Sequence, residues 1–105
     1  IEQGWRVMVK IFKNLEEYEK FLSEPSQFTG LTQVSYDNGQ IWFEYSYING
    51  EQLGLQRNWY EGGQLWYERN FVNKKLSGLQ RGWYKNGQLK YECNFPLIIE
   101  DIVYV

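Results

Sequence analysis

Three glutamates spaced 24 residues apart, Glu44, Glu68 and Glu92, are the carboxylates whose repetition suggests a shared chemical task. If two strands separate each from the next, the side chains lie roughly 9–10 Å apart, at about 4.8 Å per strand. That overlaps the roughly 6.5–9.5 Å between the acid and base of an inverting glycosidase. Two arginines weigh against such a role. Arg57 and Arg81 fall opposite Glu68 and Glu92 when adjacent segments pair. A neighbouring guanidinium lowers a carboxylate pKa, whereas a general acid needs it raised. The glutamates therefore read as ion-pair partners, each exposed pair contributing a few tenths to about 1 kcal/mol.

Other reactive groups are scarce. The 105 residues include no histidine, so Ser–His and Cys–His nucleophiles are excluded and the commonest metal ligand is missing. Cys93 is the single cysteine, which rules out an internal disulfide and a multi-cysteine metal site. The sequence predicts no catalytic residue, no metal and no cofactor. It reads as a chain that is not an enzyme.

What would position these side chains is a tandem repeat, the feature to look for before any other. GLTQVSYDNGQIWFEYSYINGEQL from Gly30, GLQRNWYEGGQLWYERNFVNKKLS from Gly54 and GLQRGWYKNGQLKYECNFPLIIED from Gly78 align without gaps. Tyr36, Tyr60 and Tyr84 coincide, as do Gly39, Gly63 and Gly87. Asn38-Gly39, Gly62-Gly63 and Asn86-Gly87 are flanked by aromatic runs. Dipeptides of this kind accept positive φ at both positions, as a two-residue type I′ hairpin turn demands. Each unit is thus expected to be a β-hairpin, with looser turns such as 73–78 between units. The fold class is all-β: an antiparallel meander of 24-residue hairpins forming an elongated twisted sheet.

A two-residue turn sets the register. Trp59 should face Trp66, Asn58 Tyr67 and Arg57 Glu68. Alternation then sorts the faces. One should carry Tyr36, Tyr60 and Tyr84, Ile41, Leu65 and Leu89, Phe43, Tyr67 and Tyr91, and Tyr47, Phe71 and Phe95. This is the expected core. The other should carry Trp42, Trp59, Trp66 and Trp83 with the Arg–Glu pairs. Trp, Tyr and Arg dominate interface energetics, and exposed apolar patches mark binding surfaces. Arg57, Trp59, Trp66, Arg81, Trp83 and Trp42 are the predicted contact surface for another protein. Aromatic faces also hold sugars and quaternary ammonium ions, so a carbohydrate- or choline-binding module is the alternative.

The ends depart from the repeat. Trp5, Val7, Val9 and Ile11 alternate with Arg6, Met8, Lys10 and Phe12, as in a strand. Asn14 followed by Glu17 resembles a helix N-cap and its capping-box partner. Leu15, Tyr18, Phe21 and Leu22 then share a helical face until Pro25. Residues 1–29 are expected to form a strand–helix cap, since a repeat array needs its open core covered. The apolar tail Leu97–Val105 is expected to close the sheet or to pair with another copy.

Composition narrows the partners. Aromatics reach 19%, while 11 basic residues stand against 13 acidic ones, for a net charge of −2. Duplex nucleic acid would call for a basic stripe, and none is present. Anionic lipid would call for a basic cluster, which leaves a membrane partner weakly supported. The single cysteine and the lack of a visible signal or membrane-spanning segment predict a cytoplasmic protein.

The pattern G-L-x-R-x-W-Y-x-N-G-Q-L-x-Y-E-x-N-F resembles the MORN-type repeat, in the variant found in bacterial antitoxin proteins of the YwqK family. The resemblance covers residues 30 to about 95, in units 30–53, 54–77 and 78–101, with 102–105 as a tail. It implies a twisted single sheet used in protein assembly, with lipid binding proposed for some members. After Phe95, Pro96-Leu97-Ile98-Ile99 replaces the Asn-Gly-Lys linker, so a fourth regular hairpin is not expected.

Overall fold

A short βα unit comes first, and the repeats then run back and forth across one sheet. The computed structural model describes residues 8–24, 27–95, 97–99 and 102–104, the last two spans by backbone alone. Strand β1 (Val9–Phe12) leads into helix α1 (Leu15–Ser23). Three hairpins follow: β2 (Gly30–Ser35) with β3 (Ile41–Ile48), β4 (Glu51–Trp59) with β5 (Leu65–Val72), and β7 (Gly78–Trp83) with β8 (Leu89–Phe95). A two-residue strand, β6 (Lys75–Leu76), pairs with β5 between the second and third. The sheet runs β1-β2-β3-β4-β5-β7-β8. The predicted antiparallel meander is the observed architecture. One strand is parallel, because α1 carries the chain back along the sheet and sets β1 beside β2 in the same direction.

Helix α1 starts where its cap was read. Asn14 is extended, and its Oδ1 accepts from the Glu17 amide at 2.9 Å. Nine residues hold a helix poorly in isolation, so packing must maintain it. The Tyr18 ring lies 5.2 Å from Phe43 and 5.3 Å from Phe12, both edge-on. Its hydroxyl shares a buried 2.6 Å hydrogen bond with the Tyr47 hydroxyl. Tyr18, Val34 and Phe43 form the buried centre, with Phe12, Trp42 and Tyr45 against it. Trp5, Val7 and Pro25 lie outside the described residues.

The turns are arranged the other way round from the sequence reading. Within each hairpin loop only the last residue, a glycine, takes positive φ: 89° at Gly39, 101° at Gly63 and 91° at Gly87. The loops are three residues long, Asp37–Gly39 in the first, closed by Tyr36 N–H to Gln40 C=O at 2.8 Å and by Gly39 N–H to Tyr36 C=O at 2.9 Å. Asn38 Oδ1 accepts from the Gln40 amide at 2.9 Å, and Asn86 repeats this with Gln88 at 3.0 Å. The two-residue loops with positive φ at both positions lie between hairpins instead. They are Asn49-Gly50 (50° and 82°) and Asn73-Lys74 (53° and 65°).

A three-residue loop displaces the register by one, and a β-bulge restores it. Trp59 pairs with Leu65 rather than Trp66, and beyond the bulge Asn58↔Tyr67 and Arg57↔Glu68 fall as expected. Ser35↔Ile41 and Trp83↔Leu89 repeat the pattern. Such an insertion re-aims side chains across the sheet. Trp42 and Trp66 therefore join the face of Phe43 and Tyr67, each 5.2 Å from its chain neighbour's ring. Ile41, Leu65 and Leu89 pass to the reverse face, opposite the assignment made from a two-residue turn.

The tail does not close the main sheet. Leu97–Ile99 pairs with Ile102–Tyr104 as a separate two-stranded element.

Burial tunes two phenols under the helix. Desolvation, with the Tyr67 phenol adding to it, pushes Tyr45 up to about 12. Tyr47 is raised further, first by burial and then by its hydrogen bond with Tyr18. The folded chain thus holds these protons more tightly than the unfolded one, whose tyrosines titrate at 10.0. Stability is expected to be level below pH about 10 and to fall above it, by up to about 1.4 kcal/mol per pH unit for each phenol. Urea unfolding between pH 8 and 11.5 measures this. The Tyr47→Phe variant should show a shallower alkaline decline, and an unchanged slope would contradict the assignment.

Candidate interaction surface

The helix-side face changes character along the array. Phe43, Tyr67 and Tyr91 occupy equivalent places in successive hairpins. Phe43 is 4% exposed under α1, Tyr67 is half-buried, and Tyr91 reaches 39%. Helix α1 spans only the first hairpin and leans toward the second. Leu15 and Leu22 of α1 with Trp42, Tyr45, Trp66 and Tyr67 of the sheet line an open groove of about 430 Å3. Tyr36 stacks on Trp42 at 5.5 Å and Tyr60 on Trp66 at 5.2 Å. In the third hairpin Lys90 replaces the tryptophan and its ammonium lies 5.6 Å from the Tyr84 ring centre.

The six residues predicted as one contact surface are divided between two faces. Trp42 and Trp66 lie on the helix side, Trp42 half-buried in the core and Trp66 exposed. Arg57, Trp59, Arg81 and Trp83 share the reverse side. There each guanidinium sits over the tryptophan two residues on, at 5.9 Å for Arg57 and 5.7 Å for Arg81. The bulge at positions 42 and 66 is the cause, since it moves one tryptophan of each of the first two hairpins through the sheet. The turn residues Asn38, Gly39, Gly62, Gly63, Asn86 and Gly87 all occupy hairpin loops, with positive φ at the second residue of each pair alone.

The glutamates do form ion pairs, but the closest link neighbouring hairpins rather than strands of one. Glu44 meets Arg57 at 3.4 Å and Glu68 meets Arg81 at 3.3 Å. Among the described residues Glu92 has only Arg81 of its own hairpin, at 4.0 Å. Glu44 and Glu68 accept from guanidinium groups, so each is engaged in a link between hairpins. Among the described residues no cluster of three or more acidic or cysteine side chains is arranged to hold a metal ion. Cys93 is exposed and free.

The sequence reading missed Gln56 and Gln80, which are almost completely buried. Gln56 Oε1 accepts from the Ser46 amide, and Gln80 Oε1 from the Asn70 amide, both at 3.0 Å. Each amide side chain bridges to the preceding hairpin where the backbone ladder is interrupted. Their shared place in the GLQR motif was the available signal. It was obscured because Gln in a strand ordinarily points to water.

A family profile described as a MORN repeat variant matches residues 28–49, 52–73 and 76–95, each window holding one of the three hairpins. The windows take in more than half of the chain. The chain belongs to the MORN repeat variant family. No curated protein and no solved structure gives a significant match to it. MORN repeats are commonly protein- or lipid-interaction modules. In this MORN protein the repeat glycines close hairpin loops, and the repeat aromatics divide between the helix-covered face and its reverse. None of the described helices is long and apolar enough to cross a membrane.

Proposed function

We propose that this MORN-repeat chain is a non-catalytic protein-interaction module whose partner packs on the helix side of the second and third hairpins. One observation carries the reading: an aromatic column buried beneath α1 in the first hairpin continues with rising exposure, through Trp66, Tyr67, Tyr91 and Phe95, where no helix of the described residues lies over it. An apolar strip continuous with a covered core is what a protein partner can extend, and large aromatics supply most interface energy. A protein is favoured over anionic lipid because Glu and Asp outnumber Lys and Arg, 13 to 11. The resemblance to YwqK-family antitoxin repeats suggests one specific form, in which the strip caps a toxin.

Affinity purification from the native source with three baits tests this. The baits are the unaltered chain, a Trp66→Ala/Tyr91→Ala variant, and a Trp59→Ala/Trp83→Ala variant. A stoichiometric protein retained by the first and third but lost by the second is the expected result. Loss with the reverse-face variant alone, or recovery of lipid or glycan in place of protein, overturns the proposal.

A further inference from the structure

Neighbouring hairpins are joined by the same three side-chain links at each junction. The tyrosine before the loop donates to the tryptophan carbonyl of the next hairpin: Tyr36 to Trp59 at 2.6 Å and Tyr60 to Trp83 at 2.7 Å. The strand glutamate pairs with the next arginine, Glu44 with Arg57 and Glu68 with Arg81. The backbone amide two residues beyond each glutamate, that of Ser46 or Asn70, donates to the next glutamine, Gln56 or Gln80. Each junction thus reads one motif, Gln-Arg-x-Trp, laid antiparallel along the outer edge of the preceding hairpin.

The third hairpin offers the same three groups at its outer edge. Tyr84 is 49% exposed, and among the described residues no tryptophan carbonyl meets its hydroxyl. The Glu92 side chain is 49% exposed, against 15% for Glu44 and 14% for Glu68. The Asn94 amide occupies the place of Ser46 and Asn70. Every residue of β8 is exposed, and among the described strands β8 pairs only with β7.

We propose that the outer edge of β8 is a docking site for a Gln-Arg-x-Trp strand of another MORN-type repeat, carried by a separate polypeptide. The stretch that follows β8 in this sequence does not fill the place: Leu97-Ile98-Ile99 has no glutamine, arginine or tryptophan and pairs with Ile102–Tyr104. A second copy fits poorly, because its Gln-Arg-x-Trp strands, β4 and β7, each already lie between two neighbours. A partner whose repeat array starts on an unpaired strand of this motif adds to the edge as the next hairpin would. Backbone pairing supplies affinity and the side-chain links supply register. In that register the arginine meets Glu92, the glutamine meets the Asn94 amide, and the tryptophan carbonyl accepts from Tyr84.

This inference deepens the interaction-module reading, but it uses the sheet edge rather than the helix-side strip, so the two fail separately. The probe is a synthetic peptide with the sequence of residues 52–73, closed head to tail so that its hairpin is preformed, titrated into the full chain by calorimetry. Saturable one-to-one binding is expected. Glu92→Arg in the chain should weaken it roughly tenfold or more, and an Arg57→Glu peptide should recover most of that loss with the Glu92→Arg chain. Tyr84→Phe should weaken it several-fold, and Trp66→Ala should leave it unchanged. Absence of binding at millimolar peptide, or binding indifferent to Glu92→Arg, overturns the proposal. Self-association of the chain that Glu92→Arg abolishes would name a second copy as occupant and overturn it too.

Discussion

Replacing Phe43 with alanine is expected to destabilise the fold by about 3–5 kcal/mol, the largest loss among substitutions on the helix-side face. Phe43 is 4% exposed and its ring meets three others: Tyr45 at 4.5 Å, and Trp42 and Tyr18 at 5.2 Å. Removing it opens a cavity at the one place where helix, first hairpin and β1 share a core. The same substitution one and two repeats later serves as an internal scale. Tyr67→Ala should cost an intermediate amount. Tyr91→Ala, at an exposed position, should cost less than about 1 kcal/mol. Urea unfolding of the three variants gives the series directly. Equal losses at all three positions would mean that the repeats are equally covered, and the open strip would then have to be abandoned as an interaction surface.

That gradient is what sequence could not supply. Three copies of one pattern look equivalent in a string of letters, and the columns of Phe43, Tyr67 and Tyr91 differ only by a hydroxyl. What separates them is one nine-residue helix, long enough to cover a single hairpin. Its existence was legible, because Asn14, Glu17 and the spacing of Leu15, Tyr18, Phe21 and Leu22 are local signals. Its reach along the sheet is a tertiary fact with no local trace.

The division of the tryptophans failed for a different reason. Strand alternation is a reliable ruler only while register is unbroken, and one extra residue reverses it. Asn38-Gly39 was read as a two-residue loop, yet Asn38 satisfies the Gln40 amide with its side chain, and only the glycine turns left-handed. From that residue onward Trp42 was assigned to the wrong face, until the bulge restored the count at Phe43. The distal pairs Arg57↔Glu68 and Arg81↔Glu92 came out correctly because two displacements of opposite sign cancel. The existence of hairpins was therefore secure, and the side on which Trp42 and Trp66 lie was not. Ion pairing was foreseen in kind and, for Arg81 with Glu92, in partner, but Arg57 leans toward Glu44 of the previous hairpin rather than Glu68 directly opposite.

Gln56 shows how much of the repeat motif serves the junctions rather than any partner, and its replacement gives the second large effect. The side chain is 1% exposed. Its Oε1 accepts from the Ser46 amide at 3.0 Å, while Nε2 donates to the Ser46 carbonyl at 3.4 Å and the Gly54 carbonyl at 3.2 Å. Register shifts at this point, so no backbone group of β4 is placed to do the same. Gln56→Leu keeps much of the volume but leaves a buried donor and two carbonyls without their partner. Each such group costs about 1–3 kcal/mol. The carbonyls retain other lone pairs, so the net expectation is about 2–3 kcal/mol. Gln56→Glu separates the roles. A carboxylate still accepts from Ser46 but turns a charge toward two carbonyl oxygens, so its loss should exceed that of leucine at neutral pH. It should shrink as the pH falls far enough to protonate the side chain. Thermal unfolding of both variants at pH 7 and pH 4 distinguishes them. Should Gln56→Leu unfold with the unaltered chain, the bridge would be dispensable, and the reading of each junction as a selective socket for Gln-Arg-x-Trp would lose one of its three supports.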